Sequence, residues 1–175
     1  DKMLAKIEFR EFQHLVNLAD VVELINRGVE IIKIRAEVEP VLVEIGVEGR
    51  LAAMQLQEMT GEIKDLTRIL IMDYSAKDLE EGEATKIMDK LKALKDLGSL
   101  IVARELGHEV ASAVQMEETN IMPRGYRILR YVARIPMNIS RNVVNTFQDV
   151  SRIGMADVAG LKEVEGIGEK RAQAI

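Results

Sequence analysis

The chain has 175 residues and a net charge of −5, with 47% apolar and only 3% aromatic side chains. That apolar share builds a core of Leu, Ile, Val and Met and excludes a wholly disordered chain. The lack of cysteine excludes disulfides and thiolate chemistry, and it agrees with a cytoplasmic protein. No apolar run reaches the length of a membrane span, and no signal peptide opens the sequence, so we expect no membrane partner. Both ends read as helix, which predicts a segment of a longer protein.

The first predicted element is a helix over residues 2–18, because its apolar residues recur on one helical face. The next stretch, residues 20–45, supports two structures. Apolar residues every seven positions favour a long packed helix that Asp20 would cap, whereas strict alternation over residues 32–39 favours a half-buried strand. Pro40 disturbs either one. The heptad residues are Leu24, Ile31, Val38 and Ile45.

A turn at residues 46–49 separates this stretch from a clear helical stripe over residues 50–73. Gly46 suits the position just after a helix end, where the backbone turns left-handed. Two long antiparallel helices joined by a short loop are therefore the natural interpretation. The methionines that share the stripe, at 54, 59 and 72, are typical of core filler rather than of a cofactor site.

Shorter elements follow. A polar connection over residues 75–83 leads to a helix over residues 84–97, and a short helix lies between Ser99 and Gly107. The stretch EETNIMPRG, residues 117–125, marks a change in charge and predicts a domain boundary. We therefore predict an all-α protein with an elongated helical linker over residues 1–118. Short helices over residues 119–175 form the second domain, one of them starting at Pro136.

The charge is unevenly distributed between the two halves. Residues 1–122 carry 15 basic and 24 acidic side chains, a net −9, while residues 123–175 carry 9 and 5, a net +4. Such asymmetry indicates a second half that faces nucleic acid. The spacing of Arg127, Arg130 and Arg134 predicts one helix face that follows a phosphate strand. An exposed face paired with linker acids is the alternative. Residues 124–141 hold five arginines and no acidic residue; the arginines are Arg124, Arg127, Arg130, Arg134 and Arg141.

The most informative stretch is VEGIGEKRA, residues 164–172. Glycines at 166 and 168 permit left-handed backbone and leave the outer surface without a Cβ, while Ile167 faces inward and Ala172 lets two helices approach. The unpaired amides at the start of the second helix then suit a phosphate oxygen. Lys170 and Arg171 follow within one turn. A plain helix–helix turn is the simpler alternative.

This spacing resembles the helix-hairpin-helix motif of DNA repair and processing proteins, in which two motifs usually pack as a pair. The first partner would be residues 133–147, whose apolar frame fits. It has no G-x-G, so its phosphate contacts would rest on Asn138 and Arg141.

Over the whole chain, PRGYRIL (123–129), RIPMNISRNVV and EVEGIGEKRAQAI resemble the DNA integrity scanning family of diadenylate cyclases. Residues 18–75 resemble that family's helical linker, which favours helix over strand for residues 20–45. The resemblance implies a tandem helix-hairpin-helix domain that binds branched DNA through its phosphate backbone. The turn residues implied as DNA contacts are Gly166, Ile167, Gly168, Glu169, Lys170 and Arg171.

The resemblance also implies a bacterial, nucleoid-associated protein that assembles as an octamer. In the family, a cyclase domain joins two ATP molecules into cyclic di-AMP with Mg²⁺ or Mn²⁺. Its Asp-Gly-Ala and Arg-His-Arg motifs do not occur in this sequence, so no catalytic residue and no cofactor are assigned to this chain. The alternative function is a helical spacer that mediates assembly without binding DNA.

Other candidate sites are weak. His14 and His108 stand alone without metal-ligand spacing, so we predict no metal site. The acids Glu80, Glu81 and Glu83 are typical of a solvated connection.

Overall fold

The computed structural model describes residues 16–131 and 133–175, and within them the chain is all-α apart from one two-residue strand pair, which confirms the predicted fold class. Residues 2–15 of the predicted helix over residues 2–18 lie outside the described residues. Its next two residues, Val16 and Asn17, form a strand rather than helix, so the prediction is wrong there. The elements in chain order are Val16–Asn17 (β1), Leu18–Glu44 (α1), Val47–Tyr74 (α2), Glu81–Ala93 (α3), Ser99–Glu105 (α4), Ala113–Glu118 (α5), Asn120–Ile121 (β2), Tyr126–Tyr131 (α6), Met137–Phe147 (α7), Val150–Met155 (α8), Val158–Lys162 (α9) and Glu169–Ala172 (α10).

Helices α1 and α2 form the predicted antiparallel hairpin. Gly46 turns the chain between them with φ +92°, a conformation that suits glycine. Further down the hairpin, Gly28 lies against Thr67, where a Cβ would fall 2.2 Å from the threonine Oγ1. The two helices are therefore packed closely enough at this level to exclude any side chain at position 28.

The strand alternative for residues 32–39 is wrong, since all of them lie within α1. Pro40 is also inside the helix, close to its end at Glu44, where it removes one backbone donor. The helix is capped by Asn17, whose side chain accepts a hydrogen bond from the Asp20 amide at 2.8 Å. Asp20 therefore occupies the first turn rather than the predicted capping position.

The core lies at the base of the hairpin, where α3, α4 and α5 pack on it. Buried residues of α1 end at Ile32, and those of α2 cluster from Thr67 onward. Residues 33–59, which lie between these two buried groups and include the turn of the hairpin, are here called the arm. They carry many exposed apolar side chains. Those with more than half of their surface exposed are Ile34, Val41, Val43, Ile45, Val47, Leu51, Met54 and Met59.

The start of α1 is fastened to the segment before α6. Strand β1 pairs antiparallel with β2, with Val16 opposite Ile121, and the Leu18 amide donates to the Thr119 carbonyl at 2.8 Å. The predicted domain boundary after residue 118 stays a prediction.

Five short helices, α6 to α10, make up the last fifty residues, as the sequence predicted in outline. One of them, α8, was missed. Its signal is Asp149, whose side chain accepts from the Arg152 amide at 2.9 Å and caps the helix.

Candidate nucleic-acid interface

The glycine-rich turn joins α9 to α10. Gly166 has φ +87°, Gly168 is the extended residue that precedes α10, and Ile167 between them is buried with 6% of its surface exposed. Leu161, Val164 and Ala172 are buried beside it. Burial of Ile167 and Ala172 agrees with the arrangement that the spacing predicted, while their relation to DNA stays a prediction.

This turn leaves backbone donors open to solvent. The amides of Arg171 and Ala172 donate to the Gly168 carbonyl at 3.0 Å. Within the described residues, the preceding amides of Gly168, Glu169 and Lys170 donate to no carbonyl or side chain. Apart from the two chain neighbours of Gly168, no atom in the described part of the chain lies within 4 Å of a Cβ placed on this glycine. These amides and the bare surface above them suit an anionic oxygen.

Four charged side chains surround the turn. Arg171 folds back and donates to the Gly166 carbonyl at 2.7 Å, and Glu169 pairs with Lys162 at 2.5 Å. Lys170 is exposed and forms no ion pair in the part of the chain that the structure describes. Arg171 therefore supports the turn, while the charge of Lys170 stays exposed to solvent.

The turn between α6 and α7 has the same backbone arrangement, which the sequence did not reveal. Arg134 has φ +52° where Gly166 has +87°, Ile135 is buried with 1% exposed, and Pro136 is the residue before α7. The amides of Ile139 and Ser140 donate to the Pro136 carbonyl at 3.0 and 2.9 Å, the same pattern as at Gly168. The first hairpin thus uses Arg-Ile-Pro where the second uses Gly-Ile-Gly.

The two turns lie against each other. A Cβ on Gly166 would come within 3.1 Å of Ile139 Cγ1 in α7. The Asn142 side chain, also in α7, donates to the Glu165 carbonyl at 3.1 Å. Their exposed helix starts, with Asn138 at one and Lys170 at the other, therefore belong to one packed unit.

The predicted single face of arginines is wrong. Arg127 is buried, with 4% of its surface exposed, and its guanidinium reaches the Tyr74 hydroxyl at 3.4 Å. Arg130 is exposed on α6, while Arg134 lies beyond the end of that helix. A spacing of three and four residues therefore does not give one face here, because the helix ends at Tyr131.

Two more of the predicted DNA-contacting arginines are engaged with the linker instead. Arg124 donates from Nη2 to the carbonyls of Ser75 and Ala76, both at 3.1 Å. Arg141 donates to the Leu79 carbonyl at 3.2 Å, and its Cζ lies 6.0 Å from the ring centre of Tyr126. The acceptors are carbonyls of the connection that follows α2, which no helix ladder uses and which lie within reach of both guanidinium groups.

The contact between residues 73–79, at and after the end of α2, and residues 124–141 is here called the joint. A buried carboxylate of the linker, that of Asp73, completes it. Asp73, near the end of α2, has 1% of its surface exposed. Its Oδ1 accepts from the amides of Gly125 and Tyr126 at 2.9 and 2.7 Å, and its Oδ2 accepts from the Arg127 amide at 3.0 Å. Asp73 thus binds the first amides of α6, as an N-cap residue would, from more than fifty residues away.

Burial dominates the electrostatics of the joint. It raises the pKa of Asp73 to about 6, against the lowering effect of the three amide donors and Arg124. Burial also raises the pKa of Tyr126, so its hydroxyl keeps its proton and donates to Asp78 at 2.9 Å. At neutral pH the joint therefore holds an ionised Asp73 and a neutral Tyr126.

The remaining candidate sites have structural explanations. The Glu83 side chain accepts from the Glu80 amide at 2.8 Å in a capping box at the start of α3. His108 Nε2 lies 2.7 Å from the Tyr74 carbonyl. His14 lies outside the described residues. Among residues 16–131 and 133–175, no group of three His, Cys, Asp or Glu side chains is placed to hold a metal ion.

The fold and these two turns define a helical linker joined to a paired-hairpin unit, and comparison with known proteins supplies the family. Residues 1–115 match the family described as the DisA bacterial checkpoint controller linker region, and the chain belongs to that family. None of the helices that the structure describes is long and apolar enough to span a membrane.

Relatives match over the whole chain. It is 44% identical over all 175 residues to the DNA integrity scanning protein DisA of Thermotoga maritima, and 43% identical to that of Thermotoga petrophila. The corresponding protein of Clostridium beijerinckii is 38% identical over the same 175 residues. These matches cover 100% of this chain and 49 to 50% of each relative, so the chain spans about half the length of the curated relatives it matches.

Proposed function

We propose that this chain binds the phosphate backbone of DNA through two helix-hairpin-helix motifs, independently of base sequence. The observation that carries the proposal is the repeated turn, in which a left-handed residue, a buried isoleucine and an extended residue precede the open amides of a helix start. Backbone donors of this kind bind phosphate oxygens without reading bases. The name of the relatives, DNA integrity scanning protein, supports the same function.

The distribution of exposed cations agrees with this surface. Arg130 and Arg134 are exposed at the first hairpin, and Lys170 is exposed at the second. Arg124, Arg127 and Arg141 are left out of the proposed DNA contacts because they serve the joint. The proposed contacts are therefore the turn residues 166–171 together with Arg130, Arg134 and Asn138.

For the whole protein, the family resemblance supports a bacterial cytoplasmic diadenylate cyclase that assembles into a homo-oligomer. In that proposal, ATP and a divalent metal belong to the half of the relatives that this chain does not cover. The linker holds the DNA-binding unit at a fixed position, and the joint is the contact through which DNA engagement would reach the linker.

Replacing Lys170 with glutamine tests the phosphate contact. We expect the slope of log K against log salt to become shallower by about 0.9 on duplex DNA, because one fewer counterion is released. Fluorescence anisotropy over a salt series measures it. Lys86→Gln, which removes an exposed charge from α3 of the linker, should leave the slope unchanged. A slope near zero for the unaltered chain would contradict DNA binding itself.

The paired turns also predict a preference for branched DNA, because two separate backbone grips can engage two arms of a junction. In a gel-shift comparison we expect the four-way junction to bind more tightly than duplex of equal length, and duplex more tightly than single strand. Equal affinity for all three would reduce the proposal to general electrostatic attraction.

The chain by itself is expected to make no cyclic dinucleotide from ATP with Mg²⁺ or Mn²⁺, since the family's cyclase motifs do not occur in its sequence. Chromatography of the reaction mixture checks this. Formation of cyclic di-AMP by chain purified from an expression host without a diadenylate cyclase would show that the motif assignment is wrong.

A further inference from the structure

The joint holds a buried charge that no ion pair compensates. Asp73 has 1% of its surface exposed, and in the part of the chain that the structure describes its hydrogen-bond donors are three backbone amides. Arg124 pairs with Asp78 at 3.8 Å and donates to two carbonyls rather than to the Asp73 carboxylate. The ionised carboxylate therefore loses its water and gains only the partial charges of amides in return.

The other ionisable groups around Asp73 keep one charge state, with one exception. Burial raises the pKa of Tyr74 and of Tyr126, so both hydroxyls stay neutral. The buried side chains of α1 and α3, which pack on α2, are all apolar. The exception is His108, whose Nε2 lies 2.7 Å from the Tyr74 carbonyl, because histidine changes charge near neutral pH. The permanent cations of the joint are Arg124, Arg127 and Arg141.

We propose that the joint is a proton-coupled latch, in which Asp73 takes up one proton from solvent as the joint closes over it. Its Oδ1 accepts from two amides and its Oδ2 from one, so Oδ2 keeps a free lone pair and receives the proton. Acid therefore favours the closed joint, and neutral or higher pH favours its opening. The latch governs how the paired-hairpin unit is attached to the linker, and it goes beyond the proposed DNA binding without depending on it.

The direction of the effect follows from where the proton binds more tightly. Burial raises the pKa of Asp73 from 3.8 to about 6 in the closed joint. When the joint opens, water reaches the carboxylate and its pKa returns to the ordinary range. The extra stability of the closed joint is therefore present below about pH 6 and is lost as the pH rises through 6. Between pH 5 and pH 7.5, the equilibrium constant for opening should rise about tenfold.

Hydrogen exchange of the unaltered chain without DNA measures this opening. The amides of Gly125, Tyr126 and Arg127 bind Asp73, so each becomes exchangeable only when the joint opens. The observed rates are divided by the intrinsic exchange rates at each pH, which gives the opening constant. We expect this constant to be about tenfold larger at pH 7.5 than at pH 5. A change smaller than about twofold would overturn the latch.

Three variants assign the pH dependence to one residue. Asp73→Asn keeps the shape of the side chain but cannot titrate, so its opening constant should be the same at both pH values within about twofold. Asp65→Asn removes an exposed acid from the same helix and should keep the tenfold change. His108→Gln should keep it as well. If His108→Gln loses the pH dependence and Asp73→Asn keeps it, Asp73 is not the latch and the proposal is overturned.

A direct titration of the carboxyl group does not depend on any variant folding. In the unaltered chain labelled with ¹³C-aspartate, the carboxyl signal of Asp73 should titrate with a midpoint near pH 6. A midpoint near pH 4, the ordinary value for aspartate, would overturn the latch. Neither measurement contains DNA, so failure of the latch and failure of DNA binding are distinguishable.

Discussion

Replacing Asp73 with alanine should lower the free energy of unfolding by about 3 kcal/mol, because three buried amides lose their acceptor at once. Each amide lies at the start of α6, so the loss also removes the contact that positions the paired-hairpin unit on the linker. Urea denaturation followed by circular dichroism measures the stability. Hydrogen exchange at the amides of Gly125, Tyr126 and Arg127 measures the local opening.

A matched control lies on the same helix. Asp65 is exposed, and among the described residues it forms an ion pair only with its neighbour Arg68 at 3.0 Å. Asp65→Ala should therefore lower the free energy of unfolding by less than about 1 kcal/mol. Asp73→Asn should fall between the two, since its oxygen still serves two amides but its NH₂ group faces the third. Equal stabilities for Asp73→Ala and Asp65→Ala would show that the joint contributes little to folding.

Replacing Ile167 with alanine should lower the free energy of unfolding by about 2–4 kcal/mol. The same change should also abolish tight DNA binding. Ile167 is the buried residue between the two glycines, and its side chain fixes the turn that exposes the helix-start amides. Denaturation gives the first quantity and fluorescence anisotropy with duplex DNA the second.

Ile101 provides the comparison, because 40% of its surface is exposed on α4. Ile101→Ala should lower the free energy of unfolding by less than about 1.5 kcal/mol and leave DNA affinity unchanged. If Ile167→Ala destabilises the protein but binds DNA normally at a temperature where it is folded, the turn is a packing element only and the phosphate contact lies elsewhere.

The local sequence was enough to predict those elements whose structure depends on adjacent residues. The helical stripe over residues 50–73, the turn at Gly46 and the glycine turn at 166–168 each follow from the periodicity or backbone freedom of adjacent residues. The seven-residue repeat of α1 was also visible, although pattern by itself left strand as an alternative. The resemblance of residues 18–75 to the family's helical linker decided that point in favour of helix.

Only the tertiary structure decided which charged residues face inward. Asp73 binds amides 52 to 54 positions away, and Arg141 reaches a carbonyl 62 positions away. Nothing in the neighbouring sequence indicates such partners, because the position of an acceptor depends on how the helices pack. For the same reason, the spacing of the arginines suggested one basic face, while folding assigned Arg124, Arg127 and Arg141 to the joint and left Arg130 and Arg134 exposed.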